Sequence, residues 1–324
     1  MIINNQQSNV YKILTDHIRN KQNNPIFILC DTNTKKFCLN YFIDKLNTSL
    51  TIMKIIELDA GEHQKSIETC QYIWDQLFNL GCDRRSLLIN LGGGVVSDIG
   101  GFVASVYKRG FDFVNIPTTL LAMVDASIGG KNGVNYRGVK NIIGTITQPE
   151  MTIIDIKFLE TLPEKEIING FAEMLKHALI WEKAIWKKLS GSDPFNLSYS
   201  DVIQSIEIKK NIIDIDVNEI GSRKLLNFGH SIGHALEAYS LEHEGEPILK
   251  HGEAVAAGML MESYISMKLG QLRNQEFTII RDVIIKYYGK QDILSYSFEK
   301  LLDYIKYDKK NRNSRLLFVL LSGI

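Results

Sequence analysis

The chain has 324 residues, 37 basic against 37 acidic side chains and 45% hydrophobic content, enough for one large domain or two of ordinary size. A net charge of zero leaves no basic stripe to neutralise many phosphates, which excludes a dedicated nucleic-acid binder, and no apolar run approaches the roughly 20 residues of a membrane-spanning helix. The polar start (Asn4, Asn5, Gln6, Gln7) lacks the regions of a signal peptide, and Cys30, Cys38, Cys70 and Cys82 show no CxxC spacing, so a reducing, cytoplasmic location is expected.

Taken in chain order, short β-branched runs at 25–30, 51–58, 86–91, 113–116 and 151–155 have strand length, and helix-period segments at 35–46 and 66–80 lie between them. Strands alternating with helices predict βα units and a mostly parallel sheet. Beyond Leu162-Pro163 the texture becomes helical, with helices predicted over 164–189, 200–215, 231–238, 251–269 and 298–306, a loop at 191–200 and a last strand over Leu316–Leu321. The expected organisation is therefore α/β plus all-α, with a Rossmann-like parallel-sheet domain over 1–160 and a helical domain over 161–324.

The first chemical signal follows the run at 86–91. Gly92-Gly93-Gly94 lets the backbone turn sharply and approach a ligand, and a following helix would aim its free N–H groups at an anion such as a pyrophosphate. The spacing is neither GxGxxG nor a Walker A loop, so a tight turn with close helix packing at Gly100-Gly101 competes with the dinucleotide reading. Thr118-Thr119 after another strand, Gly129-Gly130-Lys131 and Lys140-Asn141 add hydroxyls, amides and two cations, which can form a phosphate or carboxylate clamp; either lysine alone reads as a solvated charge.

The second signal lies in the helical half. His230 and His234 stand at i, i+4 on one helix face, His251 opens another helix, and Glu173 sits on a third between Phe171 and Met174. Two imidazoles and a carboxylate with an open position suit a catalytic zinc. His177, four residues after Glu173, and His243 compete as ligands, and any one histidine alone reads more simply as a satisfied structural residue.

These blocks resemble, over essentially the whole chain, the 3-dehydroquinate synthase family, which serves the shikimate pathway. The matching stretches are GEHQKS (61–66), GGGVVSDIGGFVA (92–104), YKRG (107–110), IPTTLLAMVDASIGGKNGVN (116–135), KNIIG (140–144), FLETLP (158–163), FAEMLKHALI (171–180), NFGHSIGHALEA (227–238) and HGEAVAAGM (251–259). The resemblance implies an NAD domain and a helical metal domain with the active site in the cleft between them. It places NAD on Asp31, Glu62, Lys65, Gly93, Gly94, Asp98, Thr118, Thr119, Lys131, Lys140, Phe158 and Thr161. It places zinc, or cobalt, on Glu173, His230 and His251. Substrate contacts fall on Asp125, Lys131, Asn141, Lys176, Lys209, Arg223, Asn227, His234 and Lys310, and Arg109 would reach the neighbouring active site of a homodimer. Two departures are Val139, where many members have glycine, and a longer span between His230 and His251.

What the resemblance implies chemically is a cyclase acting on the sugar phosphate 3-deoxy-D-arabino-heptulosonate 7-phosphate, by oxidation, phosphate elimination, reduction and aldol closure, with NAD used catalytically. His234 is the expected proton carrier at the C5 oxygen, since imidazole titrates nearest working pH. The rivals are another sugar-phosphate cyclase and a metal-dependent alcohol dehydrogenase of the glycerol-dehydrogenase type. The dehydrogenase family typically begins its metal set with aspartate, where this chain has Glu173, and a substrate without a carboxylate gives no use to Lys209, Arg223 and Asn227.

Overall fold

The computed structural model describes residues 2–4, 10–21, 24–46, 53–137, 139–217, 219–242, 249–290, 296–307 and 316–324. The chain falls into two compact units, Met1–Pro163 and Glu164–Ile324.

In unit 1 the strands are β1 (Ile2–Asn4), β2 (Ile26–Asp31), β3 (Met53–Leu58), β4 (Leu87–Gly92), β5 (Asp112–Pro117) and β8 (Met151–Ile154), in one parallel sheet of order β1-β8-β5-β4-β2-β3. Helices α1 (Val10–Asn20), α2 (Thr32–Phe37), α3 (Leu39–Leu46), α4 (Ile67–Asn79) and α5 (Gly94–Val106) accompany it. Every residue of β4 is buried, as a parallel strand covered on both faces must be, and this is why it reads as a mostly apolar run, its one polar side chain, Asn90, donating through Nδ2 to Asn115 Oδ1 (2.9 Å). Phe27, Leu29, Leu88 and Phe113 of the sheet pack against Ile73 and Leu77 of α4 and Ile99 and Val103 of α5. Strand order reverses between β2 and β4, and their carboxyl ends carry Asp31 and Gly92-Gly93; the crevice outside such a reversal is where open α/β sheets bind ligands. A separate antiparallel hairpin, β6 (Lys131–Tyr136) with β7 (Val139–Ile146), packs on α5, with a register break between Val134 and Tyr136.

Unit 2 is helical: α6 (Glu164–Trp181), α7 (Lys183–Ser190), α8 (Tyr199–Ile215), α9 (His230–Glu242), α10 (His251–Lys268), α11 (Asn274–Tyr288) and α12 (Phe298–Tyr307). Ser198 and Asp201 form a reciprocal capping box that fixes where α8 begins. Helices α9, α10 and α12 share a core of Leu236, Tyr239, Ala254, Ala257 and Tyr296.

Several expected elements are redrawn. The helix expected over 35–46 is two helices broken at Cys38, and that over 164–189 is broken by the extended Glu182. Leu316–Leu321 is not a strand: Leu317 O accepts from Ser231 Oγ (3.2 Å) and Leu321 N donates to Ser266 Oγ (3.0 Å), so side chains of α9 and α10 take the groups a ladder would use. Among the described residues no helix is long and apolar enough to cross a membrane.

Candidate active site

The site in unit 1 gathers at the carboxyl end of the sheet. Asp31 closes β2 and caps α2, its Oδ1 accepting from Thr34 N at 2.8 Å. Gly93 precedes α5 with no side chain capping that helix, so its first N–H groups are offered outward. A Cβ built on Gly93 would lie 3.1 Å from Thr119 Cγ2, and one on Gly94 3.2 Å from Ala126 Cβ. A side chain at either position would therefore crowd the 118–126 segment, which glycine avoids. Thr118 N donates to Gly92 O (3.0 Å) and Thr119 Oγ1 accepts from Ala122 N (3.2 Å), binding the 118–122 turn to the glycine turn. An uncapped helix N-terminus beside a cradle without side chains fits a pyrophosphate.

Beside it lies a charged cluster. The Lys65 ammonium pairs with the Asp98 carboxylate inside the unit; burial pushes the Asp98 acid upward while Lys65 pulls it down. Glu62 Oε1 accepts from Asn135 Nδ2 (3.0 Å) and lies 3.9 Å from Lys140 Nζ, and Asn135 Oδ1 accepts from Asn141 N (3.0 Å). Asn141 is held at φ 53°, a conformation that costs energy outside glycine. Glu62, Lys65, Asn135 and Arg137 line a cavity of about 340 Å³. Phe158 and Thr161 lie together on a short 3-10 turn, Thr161 Oγ1 donating to Phe158 O (3.3 Å). Asp125 sits in a π-turn over Ala122–Ala126, Lys131 opens β6, and Arg109 is exposed at φ 70° in the turn after α5.

In unit 2 the site forms where α6, α9 and α10 meet. Gly252 makes the approach of α10 to α6 possible: its N donates to Asn169 Oδ1 (2.6 Å), and a Cβ there would fall 2.2 Å from Asn169 O. One turn along α6, the fully buried Glu173 then faces two imidazoles, its Oε1 3.4 Å from His230 Nε2 and 3.6 Å from His251 Nε2. The ligand atoms of Glu173, His230 and His251 lie within 4.8 Å of one another. The other ring nitrogens are engaged: His230 Nδ1 lies 3.1 Å from Phe228 O, and His251 Nδ1 is 3.6 Å from Glu237 Oε2. Imidazoles braced on the far nitrogen with a carboxylate between them fit a divalent cation. Burial works to lower His251, but Glu173 and Glu237 outweigh it and raise the imidazole to about 10.

His177 also faces Glu173, its Nε2 3.9 Å from Glu173 Oε2, while its Nδ1 lies 2.8 Å from Ser205 Oγ. His243 and Lys310 lie outside the described residues. His234 lies near the ligand pair, edge-on to His230 with ring centroids 5.2 Å apart and tilted against His251 at 6.2 Å. Lys176 pairs with Glu173 Oε2, Lys209 is buried on α8, and Arg223 and Asn227 sit on the 3-10 turn Ser222–Asn227. The Asp216 carboxylate, accepting from Ile220 N (3.0 Å), Gly221 N (2.6 Å) and Arg223 N (3.0 Å), shapes the loop before that turn. Sequence reasoning missed Glu219, whose Oε1 accepts from Asn227 Nδ2 (2.9 Å), and Glu237. Glu237 was within reach, because it stands two turns after His230 on the same face of α9.

Comparison with known proteins gives the same direction. The family model of the 3-dehydroquinate synthase N-terminal domain matches residues 55–169, and that of the C-terminal domain matches 170–311. The 3-dehydroquinate synthase of Parabacteroides distasonis is 40% identical over 96% of this chain and 88% of its own length. That of Alkaliphilus oremlandii is 36% identical over 98% and 86%. Among solved structures, 2-deoxy-scyllo-inosose synthase with carbaglucose-6-phosphate, NAD+ and Co2+ aligns with a TM-score of 0.85 at 23% identity, over 99% of this chain and 89% of that one. A 2-epi-5-epi-valiolone synthase from Streptomyces hygroscopicus with NAD+ and Zn2+ bound aligns at 0.82 and 26% identity, over 100% and 90%.

Proposed function

The chain belongs to the 3-dehydroquinate synthase family, and from that premise we propose that it converts 3-deoxy-D-arabino-heptulosonate 7-phosphate to 3-dehydroquinate and phosphate, for aromatic amino acid biosynthesis. The observation that carries the reading is the match of both family domains across residues 55–311, with the Glu173, His230 and His251 donor set inside the second.

Glu173, His230 and His251 would hold the divalent ion, zinc or cobalt, and in unit 1 the glycine turn before α5, with Glu62 and Lys65, would hold NAD. When bound, NAD would supply a reversible hydride acceptor and the ion a Lewis acid for the hydroxyls at the reacting carbons. The protein's own groups do the rest. Arg223, Lys209 and Asn227 grip the substrate carboxylate, Lys131, Asn141, Lys176, Asp125 and Lys310 position the sugar phosphate, and His234 exchanges the proton of the C5 oxygen. Oxidation at C5 acidifies the C6 proton and so permits loss of phosphate; reduction at C5 and ring closure follow. Arg109, exposed in its left-handed turn, serves the phosphate site of a second copy, so the working form is a cytoplasmic homodimer.

A continuous phosphate-release assay with NADH absorbance followed in the same cuvette tests the reading. Oxidation and reduction at one carbon should give many turnovers on substoichiometric NAD with no net NADH. Accumulation of NADH in proportion to product would support a dehydrogenase instead, and faster turnover of sedoheptulose 7-phosphate would support a cyclase of different specificity.

A further inference from the structure

Glu262 is a carboxylate on α10, about three turns beyond His251, and it is fully buried. Its Oε2 accepts from Gly229 N at 2.7 Å, a short charge-assisted bond between groups both removed from water. Gly229 is the residue before the metal-ligand candidate His230, and its carbonyl accepts from Gly233 N (3.0 Å) as α9 begins. The carboxylate therefore lies at the positive end of a 13-residue helix and satisfies an N–H that the helix itself leaves without a partner. That combination offsets part of the cost of burying an acid at this depth.

The backbone it holds is tightly constrained. Gly229 has φ 77°, and a Cβ there would fall 2.8 Å from Val255 O and 2.9 Å from Met259 N. From the other helix, a Cβ on Gly258 would fall 1.9 Å from Gly229 O. Helices α9 and α10 thus cross backbone to backbone at Gly229, with Glu262 one turn further along α10. Glu262 is anchored on its own helix, where Ser266 Oγ donates to Glu262 O (2.7 Å) while accepting from Leu321 N (3.0 Å). Gly229 has no side chain to limit its rotation, so what sets the direction of the Phe228-Gly229 peptide is this crossing and the carboxylate bound to its N–H, and the carbonyl of that same peptide lies 3.1 Å from His230 Nδ1.

We propose that Glu262 is a positioning residue for the metal centre: by accepting from Gly229 N it fixes the backbone from which His230 presents Nε2 toward Glu173. The inference rests on the metal reading given above, and it assigns Glu262 no contact with metal or substrate. A centre organised in this way depends on an acceptor oxygen at one position, and not on negative charge as such.

The test is zinc affinity by chelator competition, with the visible spectrum of the Co2+-loaded protein and NAD affinity measured alongside. Glu262→Gln keeps an acceptor oxygen and should bind zinc within about threefold of wild type. Glu262→Met, similar in size but without an acceptor, should weaken zinc at least about tenfold and alter the Co2+ bands, the usual scale for losing a group that orients a metal ligand. Glu262→Asp withdraws the oxygen by one methylene, should share the loss, and serves if the Met variant does not fold. NAD affinity should be unchanged in all three. Wild-type zinc affinity and Co2+ spectrum in folded Met or Asp variants, with only thermal stability lowered, would overturn the inference, as would a Gln variant as impaired as Met. Wild-type protein that binds NAD but no zinc would overturn the metal reading itself, and the inference with it.

Discussion

Zinc content and turnover are both expected to be lost in the His230→Ala variant, while NAD binding stays near wild type. His230 supplies one of two imidazoles facing Glu173, and its Nε2 lies 3.4 Å from Glu173 Oε1. With one imidazole removed, a single histidine and a carboxylate remain, too few donors for a catalytic zinc, which keeps three protein ligands. The polarisation lost is worth several kcal/mol, so turnover should fall by about a thousandfold or more. NAD affinity is a clean control, because every residue assigned to the cofactor lies in unit 1. Zinc by elemental analysis, an NAD titration and the phosphate assay on one preparation decide the matter. Unchanged zinc in His230→Ala, together with zinc lost from His177→Ala, would move the ligand role to His177. Thermal stability adds an independent sign: added zinc should raise the Tm of wild type and leave the variant's nearly unmoved, since a ligand stabilises only the state that binds it.

Much of unit 1 was legible because its determinants are local. Residues 86–91 are mostly apolar, with Leu87, Leu88, Ile89 and Leu91, and fall in a strand buried along its whole length, and the glycines after it mark where the backbone turns into α5. The hairpin β6–β7 was not legible: β7 carries Lys140 and Asn141 among apolar residues, and its register breaks at Asn135, so no clean alternation survives. α11 was missed as well, although Ile280 and Ile284 bury a face of it. In unit 2 the i, i+4 spacing of His230 and His234 could be read directly, whereas the meeting of His251 with Glu173 depends on how closely α10 approaches α6. The sequence displays Gly252, but only the structure displays Asn169 opposite it. Glu262 had no local signal at all, since its partner is a backbone N–H thirty-three positions away.

Replacing Arg223 is expected to cost the enzyme its acidic substrate without disturbing metal or cofactor. An exposed arginine serving solubility would change activity by no more than about 0.5 kcal/mol, but the structure removes that alternative: Arg223 is only 2% exposed. Its backbone N donates to Asp216 Oδ2 (3.0 Å) and its Nη1 to Val217 O (2.6 Å), so the loop that precedes it holds both the backbone and one side of the guanidinium. Asn227, four residues on, is held in turn by Glu219. A cation whose orientation is set before substrate arrives loses little side-chain freedom on binding, and a planar fork suits two parallel bonds to a carboxylate. Loss of a charged hydrogen bond from such a position costs about 1.5–3 kcal/mol, or roughly ten- to a hundredfold in kcat/KM. Arg223→Ala should therefore lower kcat/KM for the heptulosonate phosphate at least about tenfold, with zinc content and NAD affinity unchanged. Arg223→Lys should recover only part of the loss, because an ammonium restores charge but not the fork. Undiminished activity in Arg223→Ala would remove Arg223 from the substrate site. A wild type that preferred sedoheptulose 7-phosphate would instead show that the buried cation serves something other than a substrate carboxylate.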